Sequence, residues 1–191
     1  MNNQLHFKRY LVLIAVLVTV LFATVPVSAA SKATKNKKAV ALYEQKAGKL
    51  KQLYSKKYID ITGDGIKEGI FLYKPIGAGG YIFNFQILTY QKGKVKKLYK
   101  STLVHPSKMI IYKKSKSFIV YGIGSGVEMY DYYRFDKKNK KYKHIAEKNR
   151  LSYGRRKGPW DYYSKRKISK EDFKNLTKGI NTGKKKKIAF K

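Results

Sequence analysis

Residues 81–94 read Tyr81-Ile82-Phe83-Asn84-Phe85-Gln86-Ile87-Leu88-Thr89-Tyr90-Gln91-Lys92-Gly93-Lys94, and their pattern decides the fold. Phe83, Phe85 and Ile87 fall on one side of an extended chain and Asn84 and Gln86 on the other, the alternation of a sheet with one buried face. Gln91-Lys92-Gly93-Lys94 then supplies a tight turn, because glycine accepts the left-handed backbone that short hairpin loops need. The next strand is therefore expected to lie antiparallel beside this one.

The same period runs outward in both directions. Aromatic or β-branched runs alternate with Gly, Lys and Asn turns and predict strands near 57–61, 68–74, 81–91, 94–102, 108–113, 117–122, 127–136 and 141–148, with a last pair near 160–165 and 185–190. Lys137-Lys138-Asn139-Lys140 is a second tight turn. Ahead of the strands, Ala39, Tyr43, Ala47, Leu50 and Tyr54 form an apolar stripe at helical spacing. Near the end, Ser169-Lys170-Glu171-Asp172 resembles a helix start, with Ser169 as cap and Gly179 as stop, carrying Phe173, Leu176 and Ile180 on one side. The expected class is α+β, mainly antiparallel β: a single twisted meander sheet with an N-terminal and a C-terminal helix.

Residues 1–29 read as an export signal. Lys8 and Arg9 supply its positive start, Leu11 to Ala23 the apolar stretch, and Val27-Ser28-Ala29 a small-residue cleavage site. An uncleaved anchor is the alternative, but the apolar run is short of the roughly 20 residues that span a bilayer and Pro26 interrupts its end. Residues 30–38, rich in Ser, Lys, Thr and Asn, are expected to be a flexible leader, and 39–191 one β-rich domain with no transmembrane segment after cleavage. Without any cysteine, lipid anchoring through a thiol, disulfides and thiol nucleophiles are all excluded.

Against 44 Lys and Arg stand only 11 Asp and Glu, a formal charge of +33. Such a field attracts polyanions: cell-wall polymers, acidic glycans, phospholipid surfaces and, non-specifically, nucleic acid. Candidate contacts are Arg155, Arg156 and Lys157, beside Trp160-Asp161-Tyr162-Tyr163, and the run Lys184, Lys185, Lys186, Lys187, which reads equally as a solvated turn.

One segment has metal grammar. In Asp60-Ile61-Thr62-Gly63-Asp64-Gly65-Ile66-Lys67-Glu68, side-chain oxygens recur two residues apart around a glycine bend. A hard cation wants about six to eight oxygens, and Asp60, Thr62, Asp64, the Ile66 carbonyl and Glu68 are the candidates for calcium. The metal-free alternative is an Asp-Gly turn in which Asp60 and Asp64 cap backbone N–H groups. Position 12 is Phe71, so a helix-loop-helix calcium site is excluded.

The stretch from Lys57 to Phe71 resembles the D-x-[DNT]-G-D-G-x-x-[DE]-hydrophobic unit of FG-GAP and VCBS-type repeats. That resemblance implies a calcium-stabilised β-domain of the kind found in small exported proteins of Gram-positive bacteria, secreted or associated with the wall. Thr62 departs from the usual acidic or amide residue and removes a charge. A full propeller is not expected, since the loop occurs once.

No catalytic constellation is legible. Outside the signal, His105 and His144 stand far apart, Gly122-Ile123-Gly124-Ser125-Gly126 lacks the nucleophile-elbow spacing, and Gly77-Ala78-Gly79-Gly80 lacks the lysine of a phosphate loop. Glu128 and Asp131 would fall on opposite faces of one strand. The expectation is a secreted, calcium-stabilised, non-catalytic cationic module that binds anionic envelope or extracellular polymers. The alternatives are an enzyme or enzyme inhibitor acting on such polymers and, more remotely, a membrane-active protein.

Overall fold

The computed structural model describes residues 27–75, 80–151, 161–163 and 168–190. Nearly all of the expected signal, the Gly77–Gly79 run, Arg155, Arg156, Lys157 and Trp160 lie outside them. Two compact units are distinguished, Met1–Thr34 and Lys35–Lys191. Of the first, only residues 27–34 are described, and they are helical.

Among the described residues, helix α1 (Val27–Ala47) leads into ten strands interrupted by one short helix. In order these are β1 (Leu53–Ile59), β2 (Glu68–Tyr73), β3 (Ile82–Gln91), β4 (Lys94–Val104), β5 (Pro106–Tyr112), β6 (Ser117–Gly124), β7 (Val127–Asp136), β8 (Lys141–Leu151), β9 (Asp161–Tyr163), α2 (Lys170–Thr177) and β10 (Lys185–Ala189). Every strand pairing is antiparallel. The α+β, mainly antiparallel class holds, with a helix before and a helix after the meander.

The strands form two sheets rather than one: a four-stranded sheet β1-β2-β3-β4 and a six-stranded sheet β10-β5-β6-β7-β8-β9. The break falls at His105-Pro106. His105 has a positive φ of 45° and stacks on Tyr81 at 4.1 Å, and Pro106, lacking an N–H, opens the next sheet. Gly122 and Gly124 lie beneath this corner. A Cβ on Gly122 would come within 2.7 Å of the His105 carbonyl oxygen, and one on Gly124 within 2.3 Å of its ring. The glycine-rich run is a packing device for the corner, and His105 is the corner itself.

Period-two alternation sorts the apolar side chains into three clusters. Ile70, Leu72, Phe83, Phe85 and Ile87 of the first sheet meet Met109, Ile111, Phe118, Val120, Tyr133 and Tyr142 of the second, with Phe190 among them. Phe85 is central, its ring within 6.1–6.4 Å of those of Tyr99, Phe118, Tyr133 and Phe190. On the outer face of the first sheet, Ala39, Tyr43 and Ala47 of α1 cover Phe71 and Leu88. Gly69 is required there, since a Cβ would stand 3.0 Å from the Tyr43 ring and 2.8 Å from that of Phe71. On the outer face of the second sheet, Phe173 and Ile180 cover Tyr112, Ile119, Tyr132 and Ala146. The layering is helix, sheet, sheet, helix.

The expected leader, residues 30–38, lies within α1; its alanines and lysines are good helix formers, and Asn36 is tied down, as described below. The apolar stripe ends with the helix at Ala47, where Gly48 begins a turn, so Leu50 packs from a bend and Tyr54 lies on β1, 44% exposed against Phe83. The C-terminal helix is capped as its sequence indicates. Ser169 Oγ accepts from Asp172 N at 3.0 Å and donates to its carboxylate at 2.7 Å. Gly179 has a left-handed φ of 77°, and Arg134 donates to the Leu176 and Lys178 carbonyls at the helix end. Among the described residues, no helix is long and apolar enough to cross a membrane.

Candidate functional site

The segment between β1 and β2 folds as its residue types require. Gly63 and Gly65 take φ of 76° and 86°, a region open to glycine. Asp60 Oδ1 accepts from Gly63 N at 2.7 Å and Asp64 Oδ1 from Ile66 N at 2.8 Å, closing two side-chain turns. Asn36 of α1 clasps the exit, donating to the Gly65 carbonyl at 2.9 Å and accepting from Lys67 N at 2.7 Å, while Tyr43 Oη donates to the Lys67 carbonyl at 3.0 Å.

Glu68 is fully buried and turned inward. Its Oε2 accepts from Ile61 N at 2.9 Å and Thr62 N at 3.3 Å, and its Oε1 accepts from the Thr62 and Thr89 hydroxyls at 3.3 and 3.1 Å. Burial, with Asp64 adding a like charge, pushes the Glu68 carboxyl up to about 7, against the pull of these hydrogen bonds. Tyr142 Oη, from the second sheet, donates to the Ile61 carbonyl at 3.3 Å. The loop is thus joined to α1, to β3 and to the opposite sheet.

The spacing and the two left-handed glycines fit a calcium ion. The free oxygens fit it less well. Both Glu68 oxygens are engaged by protein donors, Asp60 Oδ2 pairs with Lys113 Nζ at 3.1 Å, and Asp64 alone of the three carboxylates is exposed. Among the described residues, no three His, Cys, Asp or Glu side chains are gathered closely enough to hold a metal ion. Glu68 therefore shapes the loop from beneath.

Strand register carries a set of lysines to the same end of the molecule. Tyr112 faces Ser117 and Lys185, Ser117 faces Arg134, and Asp136 faces Lys141. The turns at 113–116 and 137–140 therefore emerge side by side with the start of β10. Lys113, Lys114, Lys116, Lys137, Lys138, Lys140, Lys141, Lys184 and Lys185 are all exposed there. Of the acids nearby, Asp60 and Asp136 are each paired with a lysine, Lys113 and Lys143, while Asp64 is exposed. The latter contact and Asn139 hold the Asp136 carboxyl well below the usual range. Lys185–Lys187 lie within the edge strand β10 rather than in a turn, where charge also guards an open sheet edge against pairing with another chain.

A third feature escaped the sequence reading. Where β4 meets β7 and β8, the two sheets part to leave an open cleft of about 460 Å³. It is lined by Tyr99, Ser101, Leu103, Met129, Asp131, Tyr133, His144 and Glu147, with Thr102 and Val104 at its edge. His144 Nε2 lies 2.9 Å from Asp131 Oδ1. Glu128 is on the other face of β7, where the Tyr121 and Tyr130 hydroxyls donate to it, so the two acids separate as their spacing indicated. Hairpin arithmetic from the Lys137–Lys140 turn would have found the Asp131–His144 pair, because Tyr133 faces His144 and Asp131 lies two residues along. Glu147 could not have been found that way. In a regular strand, residues 144 and 147 point to opposite faces. A register shift between Tyr132 and Tyr133, whose partners are Ala146 and His144, leaves Ile145 as an extra residue and brings both to the cleft.

No protein-family model matches the chain, and neither a curated protein nor a solved structure is detectably similar to it.

Proposed function

We propose that the chain is a secreted, non-catalytic module that binds anionic polymers of the cell envelope, or other acidic glycans, through its lysine-lined end. The observation that carries the reading is the convergence of two turns and the start of β10, nine exposed lysines among them, where Asp60 and Asp136 are already paired with lysines. Multivalent contact with a flexible polyanion needs such a field and no shaped pocket. Nucleic acid would bind there non-specifically. Calcium enters this reading as a weak brace of the same end, held by Asp60, Thr62, Asp64 and the Ile66 carbonyl, with Glu68 keeping the loop in shape. The supporting facts are the oxygen spacing and the left-handed glycines.

The test is retention of the protein on a teichoic-acid-like polymer, on an acidic glycan and on polyphosphate in physiological salt. A Lys114→Glu, Lys138→Glu, Lys185→Glu triple variant should lose most of the binding while keeping its melting temperature. Indifference of the parent protein to all three polymers would end the proposal. A second reading, an enzyme or enzyme inhibitor acting on envelope polymers, is favoured by the Asp131–His144 pair in the cleft. Release of soluble fragments from a wall-polymer preparation, lost in His144→Ala, would support it.

A further inference from the structure

The cleft between β4 and β7–β8 has a chemistry opposite to that of the chain around it. The protein carries 44 Lys and Arg, yet neither residue type is among the described residues that line this cavity. What lines it are two carboxylates, one imidazole, tyrosine and serine hydroxyls and an apolar floor. Asp131 and Glu147 are directly opposed partners on neighbouring strands, an arrangement that costs stability unless something positive comes between them.

Their hydrogen bonds are incomplete. Asp131 Oδ1 is taken by His144, and Glu147 Oε1 accepts from Asn149 Nδ2 at 2.7 Å. The second oxygen of each has no donor among the described residues. Ser101 Oγ, which also lines the cleft, is buried beside the Tyr99 and Tyr133 hydroxyls. Asp131 and His144 keep 24% and 39% of their side chains open to solvent, so a ligand can reach them.

The ligand class follows by elimination. An anion would meet two carboxylates. A metal ion needs ligands drawn to within about 2–2.6 Å of one point, and the three titratable side chains are not gathered that closely. A neutral molecule would leave the opposed charges uncompensated. An ammonium group, in contrast, has three donors and a positive charge, reaches two carboxylates through charge-assisted bonds, and is favoured beside aromatic rings. The cavity volume suits a body of one or two sugar rings or a short alkyl chain.

We infer that this cleft is a binding site for a small organic cation, a protonated primary amine on a polar body, held between Asp131 and Glu147 against Tyr99 and Tyr133. The site is independent of the lysine-lined end and of what binds there.

The experiment is calorimetric titration of the protein at neutral pH and physiological salt with glucosamine, N-acetylglucosamine and cadaverine, followed in parallel by the His144 ring signals in NMR. Glucosamine is expected to saturate one site at least tenfold more tightly than N-acetylglucosamine, which keeps the ring and loses the charge, and to shift the His144 signals. Asp131→Asn and Glu147→Gln should each weaken it at least tenfold, whereas Lys186→Gln on the edge strand should not change it. Cadaverine distinguishes the bodies: equal binding assigns the site to alkyl amines as a class, weaker binding to amino sugars. Equal affinity for glucosamine and its N-acetyl form, no saturable binding by either amine, or undiminished binding in both carboxylate variants would overturn the inference. Should Asp131→Asn lose its near-ultraviolet circular dichroism, Glu147→Gln, which does not touch His144, carries the test alone.

Discussion

The lysine-lined end and the cleft use charge in two different ways. At the first, exposed lysine side chains on long flexible stems surround acids that are already paired. At the second, two carboxylates are fixed on adjacent strands by a β-bulge and a histidine. The first resembles an adhesive surface, tolerant of what polymer it meets and of losing any one lysine. The second is a small number of oriented groups, and one lost group matters. A net charge of +33 describes the first and conceals the second.

Salt separates the two most strongly. Binding that neutralises half a dozen phosphates releases as many counterions, so affinity for polyphosphate at the lysine-lined end should fall on the order of a thousandfold between about 50 and 200 mM salt. In the cleft, the attraction acts at contact distance, where salt screens least, while the opposing field of the surrounding exposed lysines is the part that salt weakens. Glucosamine affinity should stay within about threefold over the same range, or rise. Parallel salt slopes for the two ligands would mean that both bind one surface, and the comparison would collapse.

The second effect concerns how the lysine-lined end is fastened. Glu68 ties Ile61, Thr62 and Thr89 together from a buried position, so Glu68→Ala should cost about 3 kcal/mol by leaving those donors unsatisfied, with little change in amine binding at the cleft, which Glu68 does not line. Its pH dependence has an unusual sign. Burial raises the folded-state value to about 7, so the folded protein holds a proton that the unfolded chain releases near 4.5. The contribution is fully present below that unfolded value and is lost as pH rises through 7, by about 3 kcal/mol at most. Chemical denaturation at a series of pH values should show this slope, and Glu68→Gln should flatten it. A slope that persists in Glu68→Gln would assign it to other groups.

Much of the fold was legible because period-two alternation and short turns are local signals. Phe83, Phe85 and Ile87 do share a buried face, the Gln91–Lys94 and Lys137–Lys140 turns do join paired strands, and Ser169 does cap a helix. What could not be read was non-local. Division into two sheets depends on one positive φ at His105 and on two glycines that come to lie beneath it from β6. The cleft depends on a single extra residue at Ile145, which reverses the facing of everything after it. The Asp60–Glu68 loop was conspicuous by its spacing, but spacing does not reveal that Glu68 points inward. That direction follows from β2 being buried on both faces, with Glu68, Ile70 and Leu72 sharing the side toward the second sheet.

The smallest effect is the one that decides what the loop does. With Glu68 engaged by the protein, an ion would draw on Asp60, Thr62, Asp64 and one carbonyl, a ligand set in the weak range of about 10⁻⁴–10⁻³ M. At about 1 mM calcium, linkage then gives roughly 0.4–1.4 kcal/mol, a rise in melting temperature of a few degrees at most for a chain of this size. Asp64→Ala should remove that rise and leave the chelated protein's midpoint nearly unchanged, because Asp64 is exposed and caps one turn. Bound calcium would also favour ionised Glu68 through its charge, so the pH slope described above should shrink when calcium is added. If neither midpoint nor slope responds, protein groups alone close this loop, the Asp60 and Asp64 turns, the Asn36 and Tyr43 clasp, the paired Lys113 and the inward Glu68, and its metal-like spacing serves only to turn the chain.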